Sequence, residues 1–365
     1  MVRLLHYSDV ENAYDDPERI GRLAGAIAQR RNDETLVLGT GDNTGPGALS
    51  LATRGAQSLP FFAAVEPDAE TFGNHDFDYG PSRTLELAER SPQPWLTSNV
   101  FDGADRFGSP DVTAPAIERN VDGMSVGLIG VTDPSTPEMC PPAAELRFEE
   151  PIDHVERQCA RLDTDYVVVL SHVGGLDEEI ARRTPVDAVL GGHVHEERVT
   201  WVDDVPCTRP GANGAVLLEV DLAERRVTRT PVAEAPVDET VAAAMRERFA
   251  AHDLDEVVAH APRPIDRSRE TKRAGECAIG NFVADAYRWA ADADVGLQNT
   301  PGLRSGPPIR GAVTVGDIVS LVPFDAAVAV ASVTGTQLQS IFEQAEGSRM
   351  PGLGDYWHAQ ISGAT

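Results

Sequence analysis

At 365 residues the chain is long enough for two domains, each with its own core. Its 58 Asp and Glu against 31 Lys and Arg leave a formal charge of −27, which speaks against nucleic-acid binding through a basic patch, and no run approaches the ~20 apolar residues of a membrane span. A single lysine, Lys272, among the basic residues suits a surface adapted to molar salt, where screening removes self-repulsion; an acidic cytosolic protein from a GC-rich genome has the same composition.

In chain order, residues 2–8 read as a strand. Residues 18–31 read as an amphipathic helix, with Ile20, Leu23, Ala24 and Ile27 on one face and Pro17 at its start. Strands follow at 35–40 and 69–72, a helix at 82–90 and a buried strand at 124–131. A helix is expected at 151–162, then strands at 166–170 and 186–190. Between 199 and 232 the pattern turns to hairpins, including 215–222 and 226–231. This order predicts an α/β sandwich. Glu234-Ala-Pro236 breaks the composition, and the helix expected at 237–251 reads as a connector. The expected layout is therefore a first domain over 1–233, a linker over 234–254 and a second domain over 255–365. In the latter, 277–291 is helical by pattern, with Ile279, Phe282, Val283 and Ala286 on one face, and 295–298, 328–333 and 358–361 read as strands. Cys140, Cys159, Cys207 and Cys277 show no Cys-x-x-Cys spacing and read as reduced structural thiols. Met1 leads straight into the first strand with no signal-peptide pattern, so the cytoplasm is the expected compartment.

Five polar clusters follow the apolar runs of the first domain: Asp9-Val10-Glu11, Gly41-Asp42-Asn43, Gly73-Asn74-His75-Asp76, Ser171-His172 and Gly192-His193-Val194-His195. Asp78 stands just behind the third. In α/β folds ligands bind outside the carboxyl ends of the strands. Carboxylates, imidazoles and an amide gathered there suit hard or borderline divalent metals. His193 and His195, two apart, share a face if their segment continues as a strand. Singly, such a cluster is more often a structural turn than a set of ligands; together, all at strand ends, they predict a two-metal site.

The order Asp-x-(His), Gly-Asp, Gly-Asn-His-(Asp/Glu), His, Gly-His-x-His resembles the calcineurin-like metallophosphoesterases. Gly-Asn-His-Asp-Phe-Asp at 73–78 is similar to their 5′-nucleotidase branch. The resemblance implies an α/β/β/α sandwich and a second, smaller α/β substrate-binding domain. It implies two divalent metal ions, manganese first, with iron, zinc, magnesium or cobalt as alternatives. Carried over by position, one half-site would hold Asp9, Glu11, Asp42 and His195, and the other Asp42, Asn74, His172 and His193, with Asp42 bridging. His75 would face the phosphate, oriented by Asp78 rather than Asp76. Glu11 stands where the family has His, an anionic oxygen donor that favours Mn²⁺, Fe²⁺ or Mg²⁺ over Zn²⁺.

In the second domain Arg269 and Arg273 are similar to the family's substrate-binding arginine pair. Asn299-Thr-Pro-Gly-Leu-Arg304 resembles its Asn-Gly-Gly-Gly-Ile-Arg loop, which would set Asn299 on the base or ribose and Arg304 near the ribose or phosphate. Phe324 would stack on the base. Thr300 and Pro301 replace two glycines, and Asp325-Ala326 replaces Gly-Asn. Residues 360–365 resemble the middle of the family's C-terminal domain, which implies an incomplete second domain without its second stacking aromatic. The activity implied is hydrolysis of nucleoside 5′-monophosphates, a small-molecule substrate. Alternatives are 2′,3′-cyclic nucleotide phosphodiesterase, nucleotide-sugar pyrophosphatase, sulfur-ester hydrolase and non-catalytic nucleotide-binding protein.

Overall fold

The computed structural model describes residues 2–345 and 358–364. Two compact units divide at residue 252, Met1–His252 and Asp253–Thr365.

The first unit is built on two sheets. Strands Arg3–Tyr7, Thr35–Thr40, Ala69–Thr71, Trp95–Leu96 and Thr113–Ala114 run parallel in the first. Val216–Asp221 and Arg226–Pro231 extend it antiparallel on the other side of Arg3–Tyr7. In the second sheet Met124–Thr132, Tyr166–His172, Ala188–Gly191 and Val205–Arg209 are parallel, with antiparallel edges at Ala116–Val121 and Arg198–Val202.

The parallel strands are largely buried on both faces, which is why they read as continuous apolar runs. Leu128, Val168, Leu170 and Leu190 share a core with Leu4, Leu36, Leu38 and Val220 of the first sheet. Their alternate neighbours Ile129, Val167, Val169 and Val189 turn the other way, onto Ile152, Val155 and Ile180 of helices Pro151–Cys159 and Asp177–Arg183. Each fully buried Val, Leu or Ile contributes about 1.5–3 kcal/mol. The opposite face of the first sheet meets Leu59–Val65, where Phe61 packs edge-on against Tyr7 at 5.6 Å.

The helix read as a connector is part of this first unit. It spans Glu239–Ala251, buries Val241, Ala242 and Met245 and packs on helix Pro17–Arg30. A side chain at Gly25 would collide with the Pro236 carbonyl, so that approach requires glycine.

In the second unit Val257–Ile265 pairs antiparallel with Ile309–Thr314, and Gly296–Asn299 with Ala359–Ser362. Helix Ala278–Ala291 buries Ile279, Gly280, Val283 and Ala284. Phe282 and Ala286, expected on the packed face, are exposed instead. The close approaches of Gly280 to Gln360 and of Gly296 to Ala284 rotate that face toward the small residues. Residues 328–333 form no strand: they have no ladder partner among the described residues, and Val328, Val330 and Val333 are exposed. Their Val/Ala alternation has the period of a strand without a surface to pack on. The four cysteines are free thiols. No helix among the described residues is long and apolar enough to cross a membrane.

Candidate metal centre

The parallel strands deliver the polar clusters to one end of the sandwich. Asp9 follows Arg3–Tyr7, Asp42 follows Thr35–Thr40, Asn74 and His75 follow Ala69–Thr71, and His172 closes its own strand. Main-chain bonds knit the first two loops together: Asp9 N donates to Gly41 O at 3.0 Å, and Glu11 N to Asp42 O at 3.4 Å. Asp9, Glu11, Asp42 and His193 all have left-handed backbone, with φ of 49°, 44°, 53° and 72°. Non-glycine residues adopt this region at a cost and cluster there at functional sites. His193 and His195 are therefore not two apart on a strand. They sit in the turn after Ala188–Gly191, and the positive φ at His193 is what turns the chain.

Three groups bring their donor atoms within 4.8 Å of one another: Asp9, Glu11 and His195; Asp9, Asp42 and His172; Glu11, Asp42 and His75. Within them His195 Nε2 is 3.0 Å from Glu11 Oε1 and 3.5 Å from Asp9 Oδ1. Asn74 Oδ1 lies 3.0 Å from His193 Nδ1, and the His172 and His193 rings meet edge-on at 5.2 Å. All seven residues named from the sequence as metal ligands thus gather at one end of the sandwich.

The donor set fits a cation. His172 Nδ1 is 2.6 Å from the Thr40 carbonyl, which can only accept, so Nδ1 carries the proton. Its Nε2 then turns toward Asp42 Oδ2 at 3.2 Å, both atoms wholly buried. Two acceptors facing each other in a dry site need a proton or a metal between them. Without a metal the proton wins. Burial disfavours the His172 cation, but Asp42 and then Asp9 push its pKa up to about 10. Burial likewise opposes Asp42, yet His172, His75 and His193 hold its carboxyl below the usual range. Burial raises Asp9 to about 6, against the pull of His172 and His195. Fixing one imidazole nitrogen through a carbonyl is also how metal-binding histidines are oriented.

Asp76 and Asp78 do different work. The Asp76 carboxylate accepts from Asp42 N at 2.9 Å, Thr44 N at 2.9 Å, Thr44 Oγ1 at 2.7 Å and Gly73 N at 2.7 Å, so it ties the Asp42 turn to the Asn74 turn. Gly41 lies at this junction with φ +87°, and a side chain there would meet His172 Nδ1 at 2.6 Å. Asp78 instead sets both carboxylate oxygens 3.1 Å from His75 Nδ1. The Cys140 thiol donates to Asp78 Oδ1 at 3.7 Å from behind.

Other contributors escaped the sequence pattern. Glu70, wholly buried, accepts from Tyr7 and from Asn43 Nδ2 at 3.0 Å, while Asn43 Oδ1 accepts from Val10 N at 3.2 Å. This network sets the distance between the Asp9 and Asp42 loops. A glutamate inside the apolar run 69–72 was its one legible signal. Burial raises Glu70 to about 8, with Tyr7 and Asn43 opposing. The folded state therefore keeps a proton that the unfolded chain loses above about 4.5. Its stabilising contribution is complete below that pH and falls as pH rises toward 8, by up to about 1.4 kcal/mol per pH unit. Glu70→Gln should flatten that decline in urea-unfolding free energies measured from pH 5 to 9. An unchanged slope would show that Glu70 is not its source.

In the second unit Arg269 and Arg273 lie on the short helix Arg269–Arg273, Asn299 ends its strand, and Arg304 closes the following loop. Asn299 Oδ1 accepts from Gly302 N and from Gln298 Nε2, both at 2.9 Å, so its carboxamide shapes its own loop. Thr300, in place of a glycine, is anchored by N and Oγ1 to His358 O, each at 2.9 Å. Phe324 is half-buried.

A two-sheet sandwich with carboxylates and imidazoles converging at the carboxyl ends of its strands is the architecture of a metallophosphatase. The chain belongs to the calcineurin-like phosphoesterase family, whose profile matches residues 2–197, and residues 257–365 match the 5′-nucleotidase C-terminal domain. The trifunctional nucleotide phosphoesterase protein YfkN of Bacillus subtilis is 25% identical over 406 aligned residues, covering 94% of this chain and 27% of that protein. A mouse 5′-nucleotidase is 24% identical over 414 residues, covering 94% of this chain and 71% of its own length. The crystal structure of a 5′-nucleotidase precursor from Thermus thermophilus superposes with a TM-score of 0.82 at 24% identity, covering 99% of this chain and 81% of that one.

Proposed function

We propose that this chain hydrolyses nucleoside 5′-monophosphates to nucleoside and phosphate, with a dinuclear metal site in the first unit and nucleoside recognition in the second. The observation that carries the proposal is the convergence of Asp9, Glu11, Asp42, His172 and His195 in overlapping donor groups that share Asp9, Glu11 and Asp42, with the His75–Asp78 pair beside them. The names of the relatives add the substrate class: a nucleotide phosphoesterase and a 5′-nucleotidase.

In this reading Asp9, Glu11, Asp42 and His195 hold one ion, and Asp42, Asn74, His172 and His193 the other. Two such ions, when bound, supply an activated water and neutralise the phosphoryl oxygens. The protein does the rest. Asp42 N and the Asn74 turn are fixed by Asp76, so the ligand loops are pre-formed. Asp78 holds His75 Nδ1 and leaves Nε2 to donate toward the leaving oxygen. Glu11 adds anionic charge that suits Mn²⁺, Fe²⁺ or Mg²⁺. In the second unit Arg269, Arg273 and Arg304 would receive ribose and phosphate, Asn299 the nucleoside and Phe324 the base.

The test is phosphate release from AMP and from a small aryl phosphate in parallel, with Mn²⁺ or with chelator. Metal-dependent release from AMP well above that from the aryl ester is expected. Release from the aryl ester alone would discard the nucleotidase reading. No release from either, with metal shown to be bound, would point to another ester class.

A further inference from the structure

The chain uses lysine once, at position 272, and that lysine is buried: only 6% of Lys272 is exposed. It lies on the helix Arg269–Arg273, the element that carries two of the arginines assigned to substrate. Its Nζ donates to the Leu303 carbonyl, in the loop that runs from Asn299 to Arg304. The next residue is fixed as well: Arg304 N donates to Leu321 O at 2.9 Å. The start of the helix is held by Asp266, which accepts from Ser268 N and Oγ and from Thr271 Oγ1. Arg267, one residue before the helix's N-cap Ser268, is tied by Nε to Pro307 O at 2.9 Å and by a second nitrogen to Ser320 Oγ at 2.7 Å.

We propose that Lys272 is a positioning residue for nucleotide recognition: its ammonium clamps the Arg269–Arg273 helix to the loop bearing Asn299 and Arg304, and so fixes the spacing of the groups that receive the nucleotide. The proposal rests on the nucleotidase reading above.

Three features support it. First, the Lys272 side chain bridges the helix and the loop directly, through the carbonyl that precedes Arg304. Second, the neighbourhood is cationic in a chain of net charge −27. Burial first, then Arg304, and after it Arg267 and Arg269, push the Lys272 amine down to about 8, with the Cys277 thiol opposing. Gathering these cations costs free energy that a bound anion recovers. Third, the site suits a compact head. An ammonium places three donors around one point, whereas a guanidinium is a wide planar fork that would displace the Leu303 backbone. A chain that uses arginine at every other basic position has a lysine at this buried one.

The experiment compares Lys272→Met with the unmodified chain, on AMP and on a small aryl phosphate, with Mn²⁺. The expected result is a rise of about tenfold in KM for AMP, the loss of one hydrogen bond to a charged group. The kcat for AMP should stay within about twofold, because the metal ligands are untouched, and KM for the aryl ester, which offers these groups a phosphate but no ribose or base, should rise less than KM for AMP. Lys272→Arg keeps the charge but not the compact head and should leave KM for AMP raised. If Lys272→Met does not fold by circular dichroism, Lys272→Gln takes its place with the same expectation. An unchanged KM for AMP, full recovery by arginine, or an equal loss on both substrates would each overturn the positioning role. Those outcomes leave the nucleotidase reading intact. That reading fails separately, and takes this proposal with it, if the unmodified chain releases phosphate only from the aryl ester.

Discussion

Asp42→Asn is expected to remove metal-dependent phosphate release almost entirely, by at least about 100-fold, while leaving the fold in place. Changes to groups that merely orient metal ligands already cost about 10–100-fold, so loss of a carboxylate proposed to serve both ions should cost more. Asp42 occurs in two of the three converging donor groups and is 1% exposed. Its Oδ1 accepts from His75 N at 2.7 Å, and its Oδ2 faces His172 Nε2 at 3.2 Å. Asparagine has the same shape and can keep the bond from His75 N through its oxygen. Its NH₂ would then satisfy His172 Nε2 as a neutral donor and occupy the direction a cation needs. The variant should therefore fold normally yet bind fewer than two ions. Metal content after gel filtration and phosphate release from AMP measure the two consequences. A variant that keeps both ions and most of its activity would remove Asp42 from the bridging position.

The ligand clusters were legible because each is a short polar interruption directly after a buried parallel strand. Such strands must read as apolar runs, so their ends are marked by contrast. What pulls the clusters together was not legible. The left-handed backbone at Asp9, Glu11, Asp42 and His193 leaves no pattern in residue type, since none of the four is glycine. The Asp76 carboxylate binds backbone donors, which every sequence offers equally. The second unit read less clearly for a different reason. Val257–Ile265 is largely exposed, carries Pro262 and Pro264 and pairs with one neighbour among the described residues, so it lacks both alternation and an apolar run. Residues 328–333 show the converse, with an apolar alternation and no ladder partner among the described residues. Helix Gly335–Gln344 went unread although Thr334 and Gln337 form a capping box, because it buries no full apolar stripe.

His75→Ala should lower kcat by about 10²–10⁴-fold, the usual worth of a positioned acid or base, with bound metal unchanged. The structure separates the two roles. His75 sends its backbone N to Asp42 Oδ1, a bond that alanine keeps, so the ligand turn survives the substitution. Only the imidazole is lost, and its Nδ1 is held by Asp78 at 3.1 Å. KM for AMP should change little, since the nucleoside contacts assigned here lie in the second unit. Asp78→Asn should fall between His75→Ala and the unmodified chain. The amide can still turn one oxygen to Nδ1, but it cannot stabilise a protonated ring as a carboxylate does. The leaving group gives a sharper reading of the same chemistry. An aryl phosphate leaves as a weakly basic phenolate and needs little protonation, whereas a nucleoside alkoxide needs much. If His75 supplies that proton, its removal should cost AMP far more than the aryl ester. Equal losses on the two substrates would instead assign His75 to the phosphoryl oxygens, as a donor to charge that develops on both.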